Sequence, residues 1–204
     1  MRSAAMRARL TAGRLVPRGG RLGMAAVLCV CAALALAVPR TARAEQPGGA
    51  ADAAFAAVDH QGRPFSSASL EGVPYVIFFG FTRCPDVCPT TLMEMSRRLE
   101  DLGEDGNRLK VLFVSVDWEH DTPERLSDFL SAFDRRIIGL TGSEAQIKAI
   151  AGLWGAFYYR LGEGDITHSA YVYLMDRHHR RAGTLTIQDA QDEQLARLKQ
   201  LLAQ

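Results

Sequence analysis

Apolar residues follow different rhythms along this chain, and each rhythm predicts an element. Val73-Pro74-Tyr75-Val76-Ile77-Phe78-Phe79-Gly80-Phe81 is almost continuously apolar, the mark of a strand covered on both faces. Leu109 to Val116 predicts a second buried strand. Between them Leu92, Met95, Leu99 and Leu102 fall at helical spacing within Pro89 to Leu102, and Gly103 ends that helix. Before the first strand, Phe55 to Val58 and Pro64 to Ser66 flank Asp59-His60-Gln61-Gly62, which predicts a short hairpin. Asp121 or Thr122 caps a helix opening at Pro123, where the missing N–H costs nothing. Ile137 to Leu140 is short and strand-like. Ser143 followed by Gln146 is a capping-box pattern for a helix reaching Leu153. Phe157 to Arg160 and Ala170 to Met175 predict strands separated by a polar loop, Thr184 to Ile187 a last strand, and Asp189 to Leu202 a closing amphipathic helix. Strand and helix alternate first, and paired strands then precede a final helix. That order implies a mixed sheet with helices on both faces, a three-layer α/β/α domain. No internal repeat is visible.

Composition changes this picture at the N-terminus. The 204 residues carry 24 basic and 23 acidic side chains, a net of +1. All eight basic residues of positions 1–44 are arginine and no acid accompanies them. The remaining 160 residues therefore set 16 basic groups against all 23 acidic ones, a net of −7. A body so acidic is a poor partner for nucleic acid or an anionic membrane. Hydrophobic content of 48% with 23% charged excludes a disordered chain, a collagen and a multi-span membrane protein.

Arg2 to Arg21 precede the apolar run Leu22 to Val38, and Ala42-Arg43-Ala44 precedes Glu45. This is the pattern of a secretory signal over 1–44, with an uncleaved anchor as the second reading and a mitochondrial presequence as the third. Membrane contact is then expected only through residues 22–38, if they are retained. The expected location is the periplasm, free or anchored to the bacterial inner membrane, with the mitochondrial inner membrane as alternative. Residues 45–54, rich in Ala, Gly and Pro, read as a linker, and 55–204 as one domain.

Of four cysteines, Cys29 and Cys31 lie in the apolar run, leaving Cys84 and Cys88 in the exported body. They sit in Phe81-Thr82-Arg83-Cys84-Pro85-Asp86-Val87-Cys88-Pro89, just past the first long strand, where ligand sites of open α/β sheets gather. If both lie in the first helical turn, their Cα atoms are about 6 Å apart on one face. Such a pair can form a disulfide or capture a metal. A helix N-terminus also lowers a thiol's pKa, making thiolates available. Two thiolates form a soft site suited to Cu(I), whereas structural zinc wants four protein ligands. A purely structural disulfide is the plain alternative, although closing so small a loop removes little unfolded-chain entropy. His168, at the entry to the strand from Ala170, is a candidate third ligand, although by position alone a hydrogen-bonded loop histidine is the leading reading. His60, His120, His178 and His179 are weaker candidates, the last two in an expected solvent-exposed turn.

These residues resemble the Sco/SenC family. The resemblance rests on Gly80 to Leu92, on Val114-Ser115-Val116-Asp117 with Asp121-Thr122-Pro123-Glu124, on Gly139 to Ser143, and on His168-Ser169-Ala170 leading to Tyr173-Leu174. It covers roughly Phe55 to Leu202. It implies a thioredoxin-like fold, with an N-terminal hairpin and a hairpin-like insertion before the histidine. It also implies copper, as Cu(I) and in some states Cu(II), held by Cys84, Cys88 and His168, with Asp86 and Asp117 close by. The implied role is delivery of copper to the dinuclear centre of cytochrome c oxidase. The implied partners are the oxidase subunit that carries this centre, other copper chaperones and thiol reductants. The chain departs from the family at Trp118 and His120, at Thr167, and in Arg177-His178-His179-Arg180-Arg181.

Two further functions compete. A thiol–disulfide oxidoreductase would use Cys84 and Cys88 as a redox pair to reduce the cysteines of the copper-receiving subunit, with no need for His168. A peroxidase of peroxiredoxin type would place Thr or Ser three residues before the reactive cysteine, where this chain has Phe81 and Pro85.

Overall fold

A computed structural model describes residues 54–162 and 165–204. The expected leader, and most of the expected linker, lie outside the described residues. Among the described residues no helix is long and apolar enough to cross a membrane.

Strands β1 (Ala56–Asp59), β2 (Pro64–Ser66), β3 (Tyr75–Gly80), β4 (Lys110–Ser115), β5 (Ile137–Thr141), β8 (Val172–Met175) and β9 (Arg181–Leu185) form one sheet in the order β2-β1-β5-β4-β3-β8-β9. The three central strands run parallel, and antiparallel strands flank them on each side, so the sheet is mixed. Alternation along β3 explains its unbroken hydrophobicity. Tyr75, Ile77 and Phe79 enter a core with Ile147, Ile150 and Trp154, while Val76 and Phe78 enter a second core with Leu92, Leu99, Leu198 and Leu201. Helices α1 (Val87–Asp101), α2 (Pro123–Leu130) and α4 (Gln191–Leu202) bury their apolar stripes in the second core, and α3 (Glu144–Trp154) covers the first. The result is the expected three-layer α/β/α sandwich.

Local signals explain several boundaries. Ser143 and Gln146 form the capping box of α3, and Gly155, in the left-handed region at φ 61°, ends it. Thr122, of the two candidates, caps α2 by accepting from the Arg125 N–H at 3.3 Å; the Asp121 carboxylate turns inward instead.

Three expectations need correction. Helix α1 begins at Val87, and Cys84 precedes it in a loop, so the cysteines do not share a helical turn. The residues before Ala170 are not the polar loop that hydrophobic rhythm predicts but the hairpin that the family resemblance implies: β6 (Tyr158–Gly162) and β7 (Asp165–His168) pair as a separate two-stranded sheet, and His168 ends β7. Paired polar backbone, rather than an apolar rhythm, makes this hairpin, which is why hydrophobicity alone missed β7. The basic turn is not uniformly exposed either. His179 adopts φ 57° and lies half-buried, its Nδ1 3.3 Å from the Tyr75 hydroxyl, at the end of β8 remote from the β3 carboxyl terminus.

Candidate metal centre

The carboxyl ends of β3 and β4 supply the floor of the site. Gly80, the last residue of β3, lets the first turn of α1 approach closely: a Cβ there would lie 2.6 Å from Cys88 Sγ and 2.7 Å from Phe113 Cε2. Cys88 is 1% exposed and Cys84 8%. Although Cys84 lies outside the helix, its sulfur folds back over the helix start and accepts the Cys88 backbone N–H at 3.4 Å. Asp86, the residue preceding α1, makes no capping bond of its own, so the Cys84 sulfur satisfies one of the free N–H groups there. Asp86 itself is exposed.

The β6–β7 hairpin brings in the third group. Facing residues Tyr158, Arg160, Ile166 and His168 share one side of this ribbon by register and alternation, and Phe157, Tyr159 and Leu161 are exposed. His168 Nε2 lies 3.4 Å from Cys88 Sγ, and Nδ1 lies 3.0 Å from the Ser169 carbonyl oxygen. A carbonyl only accepts, so Nδ1 carries the hydrogen and the Nε2 lone pair faces the sulfurs. The edge of the Phe81 ring packs against the imidazole at 5.8 Å and 89°. The donor atoms of Cys84, Cys88 and His168 all lie within 4.8 Å of one another. Donors bonded at about 2.0–2.3 Å to a first-row ion can sit up to about 4.6 Å apart across it. This triad therefore needs only small shifts to close on one ion. Both cysteines are free. His60, His120, His178 and His179 do not join this cluster; His60 Nδ1 instead accepts the Gly139 N–H at 3.1 Å.

The two thiols differ sharply in acidity. A hydrogen bond from the Cys88 thiol is the main reason Cys84 is pulled down to about 4; burial opposes it, while the backbone N–H groups of Cys88 and Asp86 assist. Cys88 is pushed far upward, by its hydrogen bond to Cys84, by burial, and by facing the Cys84 charge. In effect the pair shares one proton, held on Cys88. A direct consequence is that alkylation of Cys84 in the reduced, metal-free protein should keep its rate from pH 8 down to pH 5, as for a preformed thiolate. An iodoacetamide pH profile read by mass spectrometry checks this. A rate that climbs steeply between pH 7 and pH 9 would show an ordinary thiol.

Two buried carboxylates brace the loops. Asp121 accepts from the Thr82 N–H at 2.8 Å, the Thr82 hydroxyl at 2.6 Å and the Ser115 hydroxyl at 2.6 Å. Asp117 accepts from Arg83 Nη2 at 2.7 Å and Nε at 3.2 Å, and lies 3.0 Å from His120 Nδ1. Burial opposes its charge, but the Arg83 hydrogen bonds and His120 outweigh that and hold its carboxyl below the usual range. Sequence reasoning placed Asp117 near the site but missed Asp121, Arg83 and Ser169 as supports. The four-residue spacing of two aspartates just past a buried strand was the available signal.

A thioredoxin-like α/β sandwich carrying a dithiol and a facing imidazole is the class of protein that this fold and site define. A family model described as SCO1/SenC matches residues 43–203, and the chain belongs to that family. It is 38% identical over 128 residues to a SCO2-like protein of Rickettsia felis, covering 60% of this chain and 62% of the relative. The chain thus spans about three-fifths of the length of such curated relatives. Among solved structures it is similar to Bradyrhizobium japonicum ScoI with copper bound, at TM-score 0.68 and 36% identity, covering 72% of this chain and 97% of that one. It is also similar to yeast Sco1 with copper bound, at TM-score 0.67 and 27% identity, over 74% and 87% of the two chains.

Proposed function

We propose that this protein binds copper through Cys84, Cys88 and His168 and delivers it, as cargo, to the dinuclear copper centre of cytochrome c oxidase. The observation that carries this reading is the convergence of two sulfurs and one imidazole nitrogen within 4.8 Å in a largely buried site. Two sulfurs select a soft ion, and the imidazole, a borderline donor, extends the site to Cu(II). The copper bound in the Bradyrhizobium and yeast relatives agrees with that choice. Apolar neighbours Phe81 and Val87 pack into the same core as the cysteines, which limits water around the sulfurs. Copper release then requires a partner whose ligands replace these three in turn, which fits an oxidase subunit presenting reduced cysteines. Export across the bacterial inner membrane, by a signal or an anchor in residues 1–44, places the body on the side where such a partner is exposed.

The unequal thiols favour a second reading, thiol–disulfide exchange. The Cys84 thiolate attacks a partner's disulfide, the partner's sulfur leaves as a thiolate, and Cys88, giving up its proton, resolves the mixed disulfide. The partner gains two electrons, and this chain is left with a Cys84–Cys88 disulfide.

His168 separates the two readings. His168→Ala should leave that disulfide able to form, yet lower Cu(I) retention and shift any Cu(II)–thiolate absorption. Introduced into a deletion strain under limiting copper, it should lower assembled oxidase nearly as far as a cysteine variant does. Full oxidase activity with unchanged copper binding would remove His168 from the ligand set and leave dithiol chemistry as the function.

A further inference from the structure

One buried carboxylate stands between the two loops that must meet around an ion. One oxygen of Asp117 takes the Arg83 guanidinium at 2.7 Å, and Arg83 immediately precedes Cys84. The other oxygen lies 3.3 Å from Arg160 Nη2, and Arg160 sits on β6, on the same side of the ribbon as His168. The Asp117 side chain is fully buried. Arg160 also pairs with Glu119 at 2.7 Å, and its guanidinium lies over the Trp118 ring at 4.3 Å. Tyr158, directly opposite His168 in the hairpin register, packs edge-on against the same indole at 5.8 Å. The hairpin forms a two-stranded sheet of its own, and among the described residues neither of its strands pairs with a strand of the main sheet. Side-chain contacts of this kind must therefore do much of the work of seating it.

We propose that Arg160 is a positioning residue for the metal site: by forking between Asp117 and Glu119 and lying on Trp118, it clamps the β6–β7 hairpin onto the cysteine loop and so sets how closely His168 meets Cys88. The guanidinium suits this task because it is planar, permanently charged and able to engage two carboxylates and an aromatic face together. The clamp draws on Trp118, one of the positions after Asp117 where this chain departs from the family pattern. The inference rests on the copper reading only for its metal-bound outcome.

The test compares Arg160→Met and Arg160→Lys with the wild-type protein, reduced and copper-free, by amide hydrogen exchange. Asp117 keeps Arg83 and His120 in either variant, so the buried carboxylate remains paired and the domain is expected to fold. Loss of the charged pair should speed exchange in 158–162 and 165–168 by about tenfold in the Met variant, with β3 and β4 unaffected. Lysine keeps the charge but neither fork nor stacking, and should fall between. Loaded with Cu(II), the Met variant should show a shifted thiolate absorption, and loaded with Cu(I) it should lose the ion faster to an excess chelator. A hairpin protected equally in all three proteins, or an unshifted spectrum in the Met variant, overturns the inference. Should the Met variant not fold, the Lys variant against wild type decides by the same criteria. Should the wild type bind no copper, the functional reading fails, and hydrogen exchange on the copper-free proteins still decides the role of Arg160.

Discussion

Replacing either Cys84 or Cys88 by serine is expected to weaken Cu(I) binding by more than about a hundredfold, beyond the loss typical of a group that merely supports a ligand. A serine hydroxyl is hard and stays protonated, so it substitutes for the shape of the thiol but not for its softness. The two positions differ in what else they remove. Cys84→Ser deletes the sulfur that already carries negative charge. Cys88→Ser deletes a ligand but keeps a hydroxyl donor toward Cys84, whose acidity depends chiefly on the hydrogen bond from residue 88. Cys88→Ala removes that donor too, so Cys84 alkylation should slow at pH 6 in the alanine variant more than in the serine one. Competition against a Cu(I) chelator measures affinity, and the reduced wild type should take up one ion per chain. Its disulfide form should take up none, because both soft donors are consumed. Tight binding retained in a serine variant, or by the oxidised protein, would place the ligands elsewhere.

Gly80→Ala is expected to damage stability and site together. The added Cβ would meet Cys88 Sγ at 2.6 Å and Phe113 Cε2 at 2.7 Å. The Phe113 ring has little room to retreat, with Phe78 at 5.1 Å and Phe129 at 6.0 Å. The helix start, with Cys88 on it, must therefore move away from the strand. Overpacking of this kind costs about 1–3 kcal/mol, which lowers the melting temperature by about 3–10 °C in a domain of this size. Cu(I) affinity should fall as well, since Cys88 leaves its position beside His168. Gly152→Ala is the control: it lies in α3 with no atom within 4 Å of the new Cβ, and helix propensity favours alanine there. Unchanged denaturant midpoint and unchanged affinity in Gly80→Ala would show that this close approach is not required.

The legible part of this protein is the part written in short-range patterns. The unbroken apolar run of β3 identified a central strand because both of its faces must be covered. Ser143 with Gln146, and Pro123 after Thr122, marked helix starts because backbone N–H groups there need partners within three residues. The cysteine pair was legible for the same reason: its chemistry is carried by residue types four positions apart. Its geometry was not. Helical spacing suggested a shared turn, yet Cys84 reaches Cys88 from the preceding loop, bent back by hydrogen bonding to an N–H that the helix leaves free.

His168 marks the limit. In the sequence it is one of five histidines, singled out by its resemblance to a family and by its place before an apolar strand. Only the tertiary structure sets its Nε2 3.4 Å from a sulfur 80 residues earlier, because only folding pairs β6 with β7 and lays that ribbon across the carboxyl ends of β3 and β4. The supports are of the same kind. Arg83 and Arg160 look like surface charges until Asp117, fully buried between them, gives each a fixed partner. Residue type and local spacing, which act over a few bonds, determined the sheet, the helix starts and the soft donors. The ligand distance and the clamp around it arise from contacts between distant segments, whose strength depends on burial that exists only once the chain has folded.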